Sequence, residues 1–256
     1  LYCQIDELPK APTTGNFANP KQPSPNFGFG QNIVPENTRT IYISFFQDNI
    51  AHQNLVTFYP EFLYGITDYL SLYTYLPIFV KTNLDCPHGG IGDLLMQLEY
   101  ALYMKITPHY CVLATLVGNI TIPTAHISSA NTDVITPPIG YDAPSFFIGS
   151  TLNYLSPRWY AYISPGATIP ITSKQCTKFG NTFFYQVGIG CNLGNPADIT
   201  LIGLLEFSGQ YIQKNKINCI ADPNSGGNTI FLGPSIYATH ERWEFWGGIQ
   251  APIVQN

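Results

Sequence analysis

Charge is what this chain has least of. Asp, Glu, Lys and Arg make up 11% of its 256 residues, against roughly 25% in an ordinary soluble domain. A soluble surface built without ions would have to come from Asn, Thr, Ser, Gln, Tyr and Gly, whereas a membrane protein has less need of ions. Long hydrophobic runs are missing too: no stretch reaches about 18 apolar residues, which excludes a transmembrane helix on length. The net charge is −5 and no basic cluster is interleaved with aromatics, so nucleic-acid binding has no footing. G-x-x-x-x-G-K-[ST], H-E-x-x-H and C-x-x-C are all absent. Cys86-Pro87-His88 is too sparse for a zinc site, and neither metal nor cofactor is expected. The opening LYCQIDELPK lacks the basic and apolar regions of a signal peptide, which for an exported protein is expected to have been removed.

With helices excluded, the remaining way to satisfy every backbone group in lipid is a closed β-barrel. Period-two alternation supports it from Arg39 onward. Leu94, Met96, Leu98, Tyr100 and Leu102 fall on one face, and Asp93, Gln97 and Glu99 on the other. Residues 182–193 set Phe183, Tyr185, Val187, Ile189 and Leu193 against small or polar partners, and residues 199–211 repeat the pattern. A soluble sandwich also alternates, so length and connection must separate the two. About eleven strands are expected, near 40–48, 54–64, 68–80, 92–104, 109–122, 145–155, 158–171, 182–193, 199–212, 228–239 and 242–253. Most have roughly 10 to 14 residues, nearer a tilted membrane strand than the soluble mode of 5–6.

Connections alternate as well. Tight turns at 65–68, 106–109, 156–158 and 239–242 face long polar loops near 81–91, 123–144, 172–181 and 213–227, the outer-membrane pattern with its short side periplasmic. Pro77, Pro123, Pro170 and Pro252 all sit on strands running toward the long loops. They are expected to mark that rim, where a missing N–H costs little and blocks further edge pairing. Residues 1–38 are rich in Pro, Gly, Asn and Ser without apolar period. They read as an arm, linker or plug ahead of an outer-membrane barrel over 39–256.

YGITDYLSLYTYLP (64–77), GGIGDLLMQLEYAL (89–102) and NITIPT (119–124) resemble the family of outer-membrane proteins named for the MetA pathway of phenol degradation, with its "ygltd.lel...lPy", "GlGD" and "lPTG" blocks. The resemblance spans about residues 40 to 255. It departs at Ala125, where the family has glycine, and in lacking a final strand that ends in an aromatic residue. The resemblance implies an outer-membrane barrel and passage of small, often hydrophobic compounds, with no catalytic residues to carry over.

If the apolar face is outward, Leu98, Ile189 and Phe207 meet lipid. The lumen is then lined by Glu61, Asp93, Gln97, Glu99, Gln186, Glu206, Gln210 and Glu244, with Gln250 beside them. Such carboxylates would favour cations in an open pore; in a narrow barrel they could equally form a structural network with Arg39, Arg158 or Arg242. Tyr64, Tyr110, Tyr154, Trp159, Tyr211 and Trp243 read as interfacial girdle residues. Tyr73, Tyr75, Tyr160 and Tyr162 point inward, as packing or as ligand-stacking rings. Six cysteines suit an oxidising compartment; Cys176 and Cys219, in consecutive long loops, are the expected disulfide, while Cys111 and Cys191 lie within strands.

The reading is an antiparallel, up-and-down transmembrane β-barrel of about 12 strands in the bacterial outer membrane. It would be a porin-like pore or transporter for small hydrophobic or cationic solutes, with membrane lipids around it. A second reading is a structural barrel whose long loops or amino-terminal arm bind envelope proteins. A third is a hydrolase: His126, Ser128, Ser129 and Asn131 supply the residue types of the outer-membrane phospholipase but not their spacing, so no enzyme is expected. Eleven strands would close with one parallel pair, so a twelfth is expected beyond Asn256, with residues 26–31 as the rival source.

Overall fold

In the computed structural model of the chain, the residues described are 29–30, 32–50, 53–82, 88–107, 109–124, 144–171, 177–194, 196, 199–240 and 243–255. One 14-stranded antiparallel sheet dominates. Its members are β1 (Arg39–Ile50), β2 (Gln53–Thr67), β3 (Leu70–Tyr75), β4 (Ile78–Thr82), β5 (His88–Ile91), β6 (Leu94–Ile106), β7 (Cys111–Ile122), β8 (Ser145–Leu155), β9 (Trp159–Pro170), β11 (Thr182–Gly194), β12 (Thr200–Ile212), β15 (Gly227–His240), β16 (Trp243–Gly248) and β17 (Ala251–Gln255). Three pairs of these, β3 with β4, β5 with β6 and β16 with β17, are single strands interrupted at two residues each. The 14 segments are therefore eleven spanning strands, each hydrogen-bonded to its chain neighbour. A small separate sheet of β10 (Thr177–Lys178), β13 (Lys216–Ile217) and β14 (Ile220–Ala221) stands beyond the long-loop rim.

One face of the large sheet is buried although no helix and no second large layer covers it among the described residues. A buried face must pack on something, and here the sheet curls onto itself as a barrel. The alternation read from the sequence is inverted relative to a soluble fold. Leu98 is 49% exposed, whereas its neighbour Glu99 is 1% exposed. Ile148, Ile163, Ile189, Leu205 and Ile236 continue the exposed apolar band, as a lipid-facing wall requires.

The 156–158 turn falls where expected, whereas the turn expected at 65–68 comes later, at Asp68 and Tyr69, because β2 runs on to Thr67. β8 passes to β9 over Ser156–Arg158, with the Trp159 amide donating to Ser156 Oγ at 3.0 Å. β2 passes to β3 over Asp68 and Tyr69, where Thr67 Oγ1 accepts the Leu70 amide at 3.0 Å. Pro123 and Pro170 do close β7 and β9 at the long-loop rim. Pro77 and Pro252 do not lie at strand ends. Pro77 separates β3 from β4, its carbonyl taking the Gly92 amide at 2.8 Å, and Pro252 sits inside β17 beside a register shift. A proline without N–H interrupts a ladder without ending it when the neighbouring strands carry on, and β2 runs on to Gln53.

Among the described residues β1 pairs only with β2, and β16 and β17 only with β15. The alternative edge strand at residues 26–31 is not formed by Phe29 and Gly30. They have no strand structure, and Gly30, at φ +78, turns inward against Val117 and Thr151.

Candidate functional site: the barrel lumen

Phe29, Gly30 and Asn32 to Val34 lie against the inner wall of the barrel, and Pro35 to Thr38 reach its short-turn rim, where Glu36 and Asn37 are exposed; Gln31 is not described. Alternating backbone amides find partners there. The Asn32 amide donates to Glu99 Oε2 at 2.9 Å, and the Val34 amide donates to Ser71 Oγ at 2.9 Å. Closer to the short-turn rim, the Asn37 amide donates to the Gly65 carbonyl at 2.9 Å, and the Gly65 amide donates to the Thr38 carbonyl at 3.0 Å. The Glu36 amide is held by Asp68 Oδ1 at 3.1 Å. Gly65 lets the backbone come this close, because a Cβ there would run into the Pro35 carbonyl. Ile33 and Val34 are completely buried, and Ile33 packs on Ala101, Leu113 and the flank of Met104.

A second cluster surrounds Glu206. Tyr162, Gly188 and Glu206 form one register row across β9, β11 and β12. The Tyr162 ring lies where a side chain at position 188 would stand, so glycine clears its path, and its hydroxyl donates to Glu206 Oε2 at 3.0 Å. Ser235 on β15 donates to the other oxygen, Oε1. Tyr160, Tyr162, Ile202, Leu204 and Tyr237 pack into one buried core, with Trp246 against it. A wholly buried carboxylate is tolerable only when its oxygens are hydrogen-bonded, and hydroxyls supply that here.

Glu61 shows the same device. Tyr73 donates to its Oε2 at 2.8 Å, inside a group in which Tyr59 and Tyr75 meet edge to face at 5.4 Å. Asp93, Gln97 and Gln186 are buried, and Gln210 is half-buried. The Glu244 side chain lies outside the described residues, as do Cys176, Arg242 and His126 to Asn131. Arg39 rests over the Tyr64 ring at 5.9 Å, and Arg158 is exposed on a short turn. Hydroxyls of Tyr73, Tyr162 and Ser235 hold the carboxylates of Glu61 and Glu206. Cys219 lies exposed at the β13–β14 turn, and Cys111 is buried within β7.

Outside the barrel, the rings expected as a girdle pair up. Tyr110 stacks with Tyr154 at 6.0 Å near the short-turn rim, and Phe183 with Tyr211 at 6.3 Å near the other. Sequence reasoning missed Asn32, Ser71 and Ser235. Ser235 follows from alternation with Gly233 and Tyr237, whereas no local pattern says that residue 32 crosses the lumen to reach residue 99.

An apolar outer wall, a polar and acidic interior and interfacial aromatics together define a transmembrane β-barrel. The chain superposes on the crystal structure of the COG4313 outer membrane channel from Pseudomonas putida F1 with a TM-score of 0.67, covering 91% of this chain and 93% of that one at 12% identity. At that identity the likeness is one of fold. No family model matches the sequence, and no curated protein does.

Proposed function

We propose that the protein is an outer-membrane channel for small molecules whose resting lumen is occupied by its own segment 29–38 and whose carboxylates bias an open path toward cations and uncharged solutes. The observation that carries this reading is the inverted wall: Leu98 outside and Glu99 inside on the same strand. Such a wall has a use only if lipid lies outside and polar cargo or packing lies within. The channel-forming neighbour supports the class, and the resemblance to the phenol-pathway outer-membrane family supports the placement, with short turns periplasmic and long loops outside. In that placement Cys176 and Cys219 belong to the extracellular side, where the oxidising envelope would join them as a disulfide. Thr177, next to Cys176 in sequence, pairs with Ile217, two residues before Cys219.

The test is ionic selectivity in planar bilayers. The protein should conduct cations in preference to anions, and Glu99→Gln with Glu206→Gln should reduce that preference while keeping one hydrogen-bond acceptor oxygen at each position. An anion-selective pore, or equal selectivity in the double variant, refutes the acidic-lumen reading. Folded protein that carries no current favours the second reading, a structural barrel; that reading rests on the same buried Ile33 and Val34, which fill space a channel would leave open.

A further inference from the structure

Directly opposed residues on neighbouring strands share a face of the sheet, so a register row can be followed around the inner wall. One row is polar and uncharged over five consecutive strands. Thr115 on β7 opposes Thr151 on β8. Thr151 falls opposite Ser164, between the pairs Gly149 with Gly166 and Leu152 with Ile163. Ser164 opposes Gln186, and Gln186 opposes Ser208. The first two members share a hydrogen bond of 2.7 Å, and at the far end Ser208 Oγ donates to Gln250 Oε1 at 2.9 Å.

Between these ends the row is incomplete. Ser164 is 0% exposed, yet among the described residues its Oγ has no hydrogen-bond partner, and neither has the buried amide nitrogen of Gln250. Buried polar groups are nearly always paired, so an unpaired one calls for an explanation, and a bound molecule is one. Toward the long loops, the next row holds Gly149, Gly166 and Phe184. The Phe29 and Phe147 rings lie over both glycines, where side chains would otherwise stand, and Phe147 meets Phe184 at 6.1 Å. Toward the short turns lies the Tyr162 and Glu206 pair. Phe29 belongs to the segment proposed to fill the resting lumen, so the ring over Gly149 and Gly166 leaves when the segment does.

We propose that Ser164 and Gln250 are two successive hydrogen-bonding points on the lumen wall for an uncharged, hydroxyl-bearing solute, whose apolar part rests on the Phe147 and Phe184 rings. This rests on the channel reading and names its solute class. The donor inventory selects that class. The Gln250 amide nitrogen only donates, so an ammonium ion, which also only donates, leaves it unpaired. A carboxylate or phosphate finds no positive charge in the row and meets Glu206 one row away. A hydroxyl oxygen can accept from Gln250 and both accept from and donate to Ser164.

The experiment compares xylitol entry into proteoliposomes, read by swelling, with potassium conductance of the same protein preparation. Ser164→Ala should slow xylitol about three- to tenfold, the worth of one hydrogen bond, and leave potassium unchanged; Ser164→Thr should restore xylitol entry. Xylitol entry unaltered in Ser164→Ala overturns the assignment, as does an equal fall in both fluxes, or wild-type protein that passes potassium but not xylitol. Wild-type protein that passes neither overturns the channel reading, and the two points with it.

Discussion

Releasing segment 29–38 should open the barrel, and Ile33→Asp is the change that does so from the segment's side. Burying an isoleucine side chain completely is worth about 1.5–3 kcal/mol, and Ile33 is completely buried against Ala101, Leu113 and Met104. The substitution removes that contribution and places a carboxylate in the same pocket. The adjacent Asn32 amide is already bound to Glu99, so the new charge is desolvated beside a like one, a further cost of several kcal/mol. Even a total of about 3 kcal/mol moves the ratio of displaced to seated segment about a hundredfold, at 1.4 kcal/mol per factor of ten. Gly65→Ala attacks the same seat from the wall, since its methyl group would meet the Pro35 carbonyl. In planar bilayers both variants should raise open probability well above wild type, with the β-sheet circular dichroism signal intact. Folded variants with wild-type conductance would refute the reasoning that this segment blocks the path.

Two further expectations concern the wall and the loops. Leu98 is half exposed on the outer face and opposes Leu72 and Gly118 on the neighbouring strands; Leu98→Arg should cost roughly 2–4 kcal/mol at mid-membrane depth, read by denaturant unfolding from lipid vesicles, and a spin label at 98 reporting water would show the register slipped by one residue. Non-reducing peptide mapping of protein purified from the envelope should recover Cys176 linked to Cys219; both found as free thiols would remove that pairing.

The spanning strands and their facing were legible because both are local. A strand's side chains alternate with period two, so the exposure of Leu98 and the burial of Glu99 follow from neighbours in sequence once the apolar face is set against lipid. Turn chemistry was local as well: Ser156-Pro157-Arg158 closes the turn its residues suggest. The prolines show where locality ends. Whether a proline ends a strand or only interrupts it depends on whether the partner strand continues, and β2 continues past Pro77 while nothing in TYLPIF says so.

The sequence by itself determined a low-charge chain of alternating strands with one apolar and one polar face, joined by short turns and long loops. That is enough for a barrel, because strand periodicity and connection length are properties of contiguous residues. Only the tertiary structure decided how the lumen is filled. It seats Ile33 and Val34 against the wall, gives Glu99 the Asn32 amide 67 residues away, gives Glu206 the hydroxyls of Tyr162 and Ser235, and leaves Ser164 without a partner among the described residues. Each of these depends on which strand faces which across the register of a curled sheet, and no stretch of sequence carries that information alone.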